Sequence, residues 1–292
     1  MKRVSRRLPD MARAVRDAAH GWEPGPPELG GVHLPPDGDA ITPPFTLRPG
    51  IDREQFAKEV AARDWFHSFD FGGGIVADGV DKSHWKTQFM GLPDSFAGMR
   101  VLDIGAYDGH YAFEAARRGA AEVVAADHFV WTWPGCTARD NFEFVRDALG
   151  LADVVKDVVV RVEDMTPDNV GGEFDLVLFL GVLYHAPDPL GYLKRVRSVT
   201  APGGRAVVET VVDLLDVPRP AMAYYPGAYL NEDASNHVGP NLLGLQGLLT
   251  DAGFSRVDEP FLWRYHEIES TSGRPLPPGP PKSGRAVVTA YA

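Results

Sequence analysis

Short apolar runs and amphipathic stretches alternate along the chain from about residue 99 onward. Residues 100–104, 122–126 and 158–162 read as strands, the last of them dominated by β-branched side chains. The unbroken apolar run FDLVLFL at 174–180 fits a strand covered on both faces, as in a parallel sheet. Further strands are expected at 205–212, 254–263 and 285–291. Between them, helices are predicted over 109–118, 137–149, 189–200 and 242–252. This β-α repetition predicts an α/β fold built on an open, doubly wound, Rossmann-like sheet.

Upstream the pattern changes. Val4, Leu8, Met11 and Val15 recur at helical spacing and predict a basic amphipathic helix over 2–19. That helix is either a docking element or a contact for nucleic acid or membrane. Residues 22–50 are rich in Pro and Gly and read as an extended arm. A short helix is expected over 52–63, and the aromatic run before Gly72, Gly73 and Gly74 suggests a hairpin or lid edge. The chain divides accordingly into a helix and Pro-rich arm at 1–64 and a main domain at 65–292. Lid and acceptor insertions are expected near 65–90 and 213–241.

Composition narrows the partners. The 292 residues carry 29 Lys+Arg against 40 Asp+Glu, a net charge of -11. Phosphate backbones are bound mainly through Lys and Arg, so nucleic acid is disfavoured as the main partner and a small-molecule acceptor is expected. A single cysteine, Cys136, rules out an internal disulfide or a cysteine-based zinc site. No apolar run has the length of a membrane span, and the basic start lacks the apolar core of a secretory signal. A cytoplasmic protein without membrane partners is expected, with a homo-oligomer left open.

The chemistry concentrates where the strands end. The first strand runs into Asp103-Ile104-Gly105-Ala106-Tyr107-Asp108-Gly109. A glycine-containing turn here lets the backbone approach a ligand closely. A dinucleotide site would read GxGxxG and cradle a pyrophosphate, whereas Tyr107 and Asp108 fill that space. Carboxylates at Asp103 and Asp108 repel a pyrophosphate and suit a cation. S-adenosylmethionine carries a sulfonium and an ammonium and no phosphate. About twenty residues on, Asp127 closes the second strand, where an acidic residue accepts hydrogen bonds from ribose hydroxyls. His128 and Phe129 follow and border the expected adenine position. The third strand ends in Val162-Glu163-Asp164-Met165. There Met165 is a candidate for packing on the adenine ring, and Asp164 is either an adenine contact or part of a helix-start acidic pair.

The fourth strand ends in Leu180-Gly181-Val182-Leu183-Tyr184-His185, on the side where open sheets bind ligands. Methyl transfer from a sulfonium needs alignment of acceptor, methyl and sulfur, and a hydroxyl acceptor also needs a general base. Four candidates stand out. His185 is either structural or a site residue. Glu209 is placed at the end of the fifth strand, as a base or as a group binding neighbouring backbone. His67 is a lid base or a packed histidine beneath aromatics. His237 is a base or part of an Asx-held turn. Asp213, Asp233 and His237 match no known metal motif, so no metal is expected.

Several of these segments occur together in one family. GVLYH with a following proline and leucine, then GGRAVVET at 203–210, then a late leucine followed by Gly253-Phe254, resembles the tRNA wobble-uridine methyltransferase-like family over roughly 65–262. Its best-known branch transfers a carboxymethyl group. The resemblance implies a class I methyltransferase sheet of seven strands with the last reversed. It implies cofactor contacts at Lys86 (in the Trp85-Lys86 pair), Gly105, Asp127, His128, Val162, Glu163, Leu180 and Tyr184. Two departures stand out. Tyr107 replaces the usual glycine between Gly105 and Gly109. The stretch matching the carboxymethyl branch's upstream lysine reads Arg63-Asp64-Trp65-Phe66, so plain S-adenosylmethionine is expected. The segments 219–227 and 236–241 resemble a non-tRNA branch associated with tailoring of small molecules or glycans. A tRNA acceptor, a nicotinamide oxidoreductase and a non-catalytic adenosine-binding protein are the competing readings.

Overall fold

Helix α1 (Arg53–Ala61) starts at Asp52, whose side chain accepts from the N–H groups of Glu54 and Gln55. It buries Phe56 and Val60 against Phe71 and the ring of Phe144. Two-stranded hairpin β1 (Phe69–Asp70) and β2 (Val76–Ala77) follows, then α2 (Ser83–Lys86). Phe45, Phe56, Val60, Phe69 and Phe71 share one buried cluster with the main sheet. The packed cluster therefore includes residues before 64. This computed structural model describes residues 42–214, 217–231, 233–267 and 282–292. The helix expected over 2–19 and most of the Pro-rich arm lie outside the described residues.

The remaining elements run β3 (Arg100–Ile104), α3 (His110–Arg117), β4 (Glu122–Asp127), α4 (Phe129–Thr132), α5 (Ala138–Leu149) and β5 (Val155–Val159). They continue with α6 (Pro167–Val170), β6 (Phe174–Leu180), α7 (Pro189–Ser198), β7 (Thr200–Asp213), β8 (Met222–Tyr224) and β9 (Val238–Pro240). Helix α8 (Leu242–Asp251) and strands β10 (Arg256–Val257), β11 (Phe261–Glu267) and β12 (Lys282–Tyr291) complete the chain. The main sheet has the order β10-β12-β7-β6-β3-β4-β5, with β11 also paired to β12. Strands β3 to β7 pair in parallel and β12 runs antiparallel to β7, so the final strand is reversed.

Period-two alternation decides which layer each side chain joins. Val101, Val123, Leu176, Leu178 and Val207 face a core shared with α3 and α5. Leu102, Val124, Val177, Phe179, Ala206 and Val208 face a second core shared with α7 and α8. A strand buried on both faces reads as continuously apolar, which explains FDLVLFL.

Four features differ from the sequence expectation. Strand β5 spans Val155–Val159, so Val162 lies beyond it in a short 3₁₀ turn. Its lateral pairing with β4 fixes this register, and an apolar run alone cannot. Strand β7 spans Thr200–Asp213, so it begins five residues earlier and ends one later than expected, with Glu209 well inside it. The hairpin β8–β9 was not expected and covers one end of the sheet. The eight-stranded sheet exceeds the expected seven because the stretch 254–263 splits into β10 and the start of β11, both paired to β12.

Gly109 precedes α3 at φ +89°, and a Cβ there would lie 2.5 Å from Phe142 Cδ2 and 2.7 Å from Phe113 Cε2. Gly109→Ala adds left-handed strain to overpacking and is expected to cost about 2–4 kcal/mol. Urea unfolding checks this. A change below about 0.5 kcal/mol would show that the turn relaxes freely.

Candidate active site

Open α/β sheets bind ligands outside the carboxyl ends of their strands, which here are the ends of β3, β4 and β6. Gly105 leaves β3 at φ +79°, and a Cβ on it would collide with Val182 Cγ2. Tyr107 adopts φ +52°, uncommon for a residue with a side chain. Three contacts hold it. Its N–H donates to Asp127 Oδ2 at 3.1 Å, its carbonyl accepts from Trp131 Nε1 at 2.6 Å, and its ring stacks on Phe66 at 4.2 Å.

Asp127 also accepts from the Val130 N–H at 3.3 Å. Burial pushes its pKa upward, while the backbone donors of Tyr107, Val130 and His128 oppose that rise. It is buried at the strand end, with His128 half-buried beside it.

Asp108 takes a different role from the one expected. Its carboxylate accepts from Phe66 N–H at 3.0 Å and His67 N–H at 3.1 Å, and pairs with His67 Nδ1. It ties the 65–71 segment down instead of lying open to a cofactor. His67 is buried, which favours its neutral form, yet Asp108 and then Asp81 raise its pKa overall. The ring is buried and bound to Asp108, so this pair fastens the 65–71 segment to the turn after β3. Nearby, Lys86 donates to Asp81 Oδ2 at 2.6 Å. Burial opposes ionisation of Asp81, but Lys86 and His67 hold it at about 2.

Asp103 is the uncompensated member. It is buried, and its Oδ2 has no hydrogen-bond partner. Burial pushes its pKa to about 7, with His67 opposing. The buried hydroxyl of Tyr111, one of the groups that feels the Asp103 charge, also lacks a partner.

Glu209 is fully buried and receives a two-pronged ion pair from Arg285, Nε at 2.7 Å and Nη2 at 2.6 Å. Burial raises its pKa, and Arg285 more than offsets this and lowers it. The Arg285 pair thus engages both carboxylate oxygens of Glu209. Arg285 lies 4.9 Å from the centre of the Tyr184 ring. Glu209 and Arg285 are diagonal neighbours across β7 and β12, where Arg285 faces Val211 and Val287 faces Glu209.

His185 ends the turn after β6, half-buried, with Nδ1 3.0 Å from the Ser235 carbonyl. Burial lowers its pKa, so it is neutral near pH 7. His237 is joined to the same turn through its backbone: its N–H donates to the Tyr184 carbonyl at 2.8 Å, and its carbonyl accepts from Tyr225 N–H at 2.8 Å.

The third strand end is less open than expected. Glu163 Oε1 accepts from Arg161 at 2.7 Å and Oε2 from the Tyr192 hydroxyl at 3.1 Å. Asp164 is exposed, Val162 is half-buried against the second core, and Met165 is buried within that core rather than presented to a ring. Leu180 is buried at the end of β6. Among the described residues no cluster of three or more His, Cys, Asp or Glu could hold a metal ion. Asp213 instead accepts from the Tyr225 hydroxyl at 2.8 Å.

Residues 83–259 match the family described as a methyltransferase domain. The chain belongs to that methyltransferase family. A tRNA U34 carboxymethyltransferase of Chromohalobacter salexigens is 35% identical over 48% of this chain and 40% of its own length. One from Marinobacter nauticus is 30% identical over 72% of this chain and 62% of its own. The methyltransferase thus spans about half the length of the curated relatives it matches. The N-terminal domain of EvdMO1, solved with S-adenosylhomocysteine, shares the fold at a TM-score of 0.57 and 19% identity, covering 83% of this chain and 98% of that one.

S-adenosylmethionine is the methyltransferase's cofactor. The residues at these strand ends fit it: Asp103 is a buried carboxyl with one unpartnered oxygen, and Asp127 is an acid at the end of β4, where open sheets place ribose acceptors. The residues missed from sequence were Arg285, Asp81 and Ser235. Arg285 carried one signal, a charge opening an otherwise apolar final strand.

Asp103 also links pH to stability. Its folded pKa of about 7 lies above the ordinary 3.8, so the folded state holds the extra proton between these values. Stability therefore falls as pH rises from about 4 to 7. Asp103→Asn is expected to gain about 2–4 kcal/mol at pH 8 in urea unfolding and to flatten this slope, while weakening S-adenosylhomocysteine binding. An unchanged slope would remove Asp103 from the account.

Proposed function

We propose that the methyltransferase methylates a hydroxyl or amine of a small molecule, a natural product or sugar-like acceptor, by in-line displacement. The observation that carries this reading is His185: a neutral imidazole at the end of β6, held through Nδ1 and beside the Tyr184–Arg285 stack. S-adenosylmethionine, when bound, would supply an electrophilic sulfonium methyl. His185 Nε2 takes the proton that the hydroxyl gives up. Asp103, with Gly105 and Asp127, holds the donor. The hairpin β8–β9 and the small cluster of Val211, Tyr225 and Leu230 wall the acceptor side and exclude water.

Plain methyl transfer, rather than carboxymethyl transfer, is supported by the local cations. A carboxylated donor calls for an uncommitted positive group. Here Lys86 is paired with Asp81 and Arg285 with Glu209. Arg63, in the segment that matches the other branch's lysine, lies 4.1 Å over the Phe144 ring and donates to Asn141 Oδ1 at 3.2 Å.

The tRNA U34 carboxymethyltransferase activity of the relatives favours a second reading, a tRNA acceptor. The net charge of -11 weighs against a phosphate-rich partner. Labelled S-adenosylmethionine, offered with monosaccharides, phenols and amines and separately with total tRNA at two salt concentrations, decides between them. Label on a small acceptor supports the proposal, and salt-sensitive labelling of tRNA overturns it. With a hydroxyl acceptor, His185→Gln is expected to lower kcat about 10²–10⁴-fold while leaving S-adenosylhomocysteine affinity unchanged.

A further inference from the structure

Two groups of one residue face His185 Nδ1. The Ser235 carbonyl lies at 3.0 Å and Ser235 Oγ also at 3.0 Å. A carbonyl oxygen only accepts. The Ser235 hydroxyl hydrogen is committed elsewhere, because Oγ donates to Asp233 Oδ1 at 2.7 Å. The Ser235 N–H donates to the same carboxylate oxygen at 2.8 Å. Both groups facing Nδ1 are therefore acceptors, and a neutral imidazole must place its single proton there.

We propose that Asp233 and Ser235 act as a tautomer clamp, positioning residues that fix His185 in the Nδ1–H form and so present Nε2 as the basic lone pair to the acceptor. This rests on the reading of His185 as the base. The Ser235 carbonyl holds the Nδ1 proton, and Asp233 keeps the Ser235 hydroxyl from competing as a donor. Without the Asp233 carboxylate, the Ser235 hydroxyl is free to turn and donate to Nδ1, which stabilises the opposite tautomer and leaves Nε2 protonated. The loop is seated for the task. Asp233 N–H donates to the Leu230 carbonyl at 3.2 Å, Asn236 Nδ2 to the same carbonyl at 2.9 Å, and His237 N–H to Tyr184 O at 2.8 Å.

The charged groups that face His185 give the pH behaviour. Burial lowers its pKa, as do Arg285 on β12 and His237 before β9, while the Ser235 contact and Asp233 raise it. Its neighbour Tyr184 packs beside it, with ring centroids 4.2 Å apart. Removing the Asp233 charge therefore lowers the His185 pKa further.

The test is long-range ¹H–¹⁵N spectroscopy of the full chain labelled in its imidazoles, with His185→Gln identifying the signal. The wild type is expected to show the Nδ1–H pattern for His185. Asp233→Asn keeps an accepting oxygen, so the pattern persists, and the pKa of His185 and the acidic limb of the kcat profile move to lower pH. Asp233→Ala is expected to mix in the Nε2–H form and to lower kcat about tenfold or more across pH, with S-adenosylhomocysteine affinity retained as the check on folding. A wild-type Nε2–H pattern, or an Asp233→Ala spectrum identical to wild type while His185→Gln is inactive, overturns the clamp alone. His185→Gln at the wild-type rate overturns the base reading, and the clamp's catalytic role with it.

Discussion

Burying several carboxylates within one strand–turn–strand unit is costly, and the site depends on how each is compensated. Asp108 is neutralised by His67, and that pairing fastens the 65–71 segment against the turn. Asp127 is met by backbone N–H groups, and it holds Tyr107 in its left-handed conformation. Asp103 has one oxygen left without a partner. Asp103 is therefore the least compensated of the three, with only His67 and the Ala112 N–H opposing its burial.

The cations near the site obey the opposite rule. Lys86 and Arg285 each have a buried or half-buried carboxylate of their own, so their charges act within the protein. Arg285 and Glu209 also join β12 to β7, and Arg285 supports the Tyr184 ring. The same ion pair that closes the sheet thus orders the turn carrying His185. Sheet topology and acceptor-side chemistry are coupled through this one contact.

Much of the fold could be read from the chain because the parallel strands β3, β4 and β6 are apolar on both faces and are bounded by glycine turns. The positions of Asp103, Gly105, Asp127 and Tyr184 followed from where those strands end. The failures have physical causes. Strand β5 was placed three residues late because a run of valines does not disclose its own register. The partners of His67 and Glu209 were not foreseen because they, Asp108 and Arg285, are 41 and 76 residues away in the chain. Long-range ion pairs leave no periodic trace. The hairpin β8–β9 was obscured by prolines and glycines that read equally as loop.

The central claim is that Asp103 waits for a positive charge. Calorimetry of S-adenosylhomocysteine binding at pH 7, repeated in buffers of different ionisation enthalpy, counts the protons exchanged. With Asp103 near a pKa of about 7, pairing with the ligand's ammonium should release about half a proton, and Asp103→Asn should abolish that release. Binding with no proton release in the wild type, or the same release in the variant, would contradict the account.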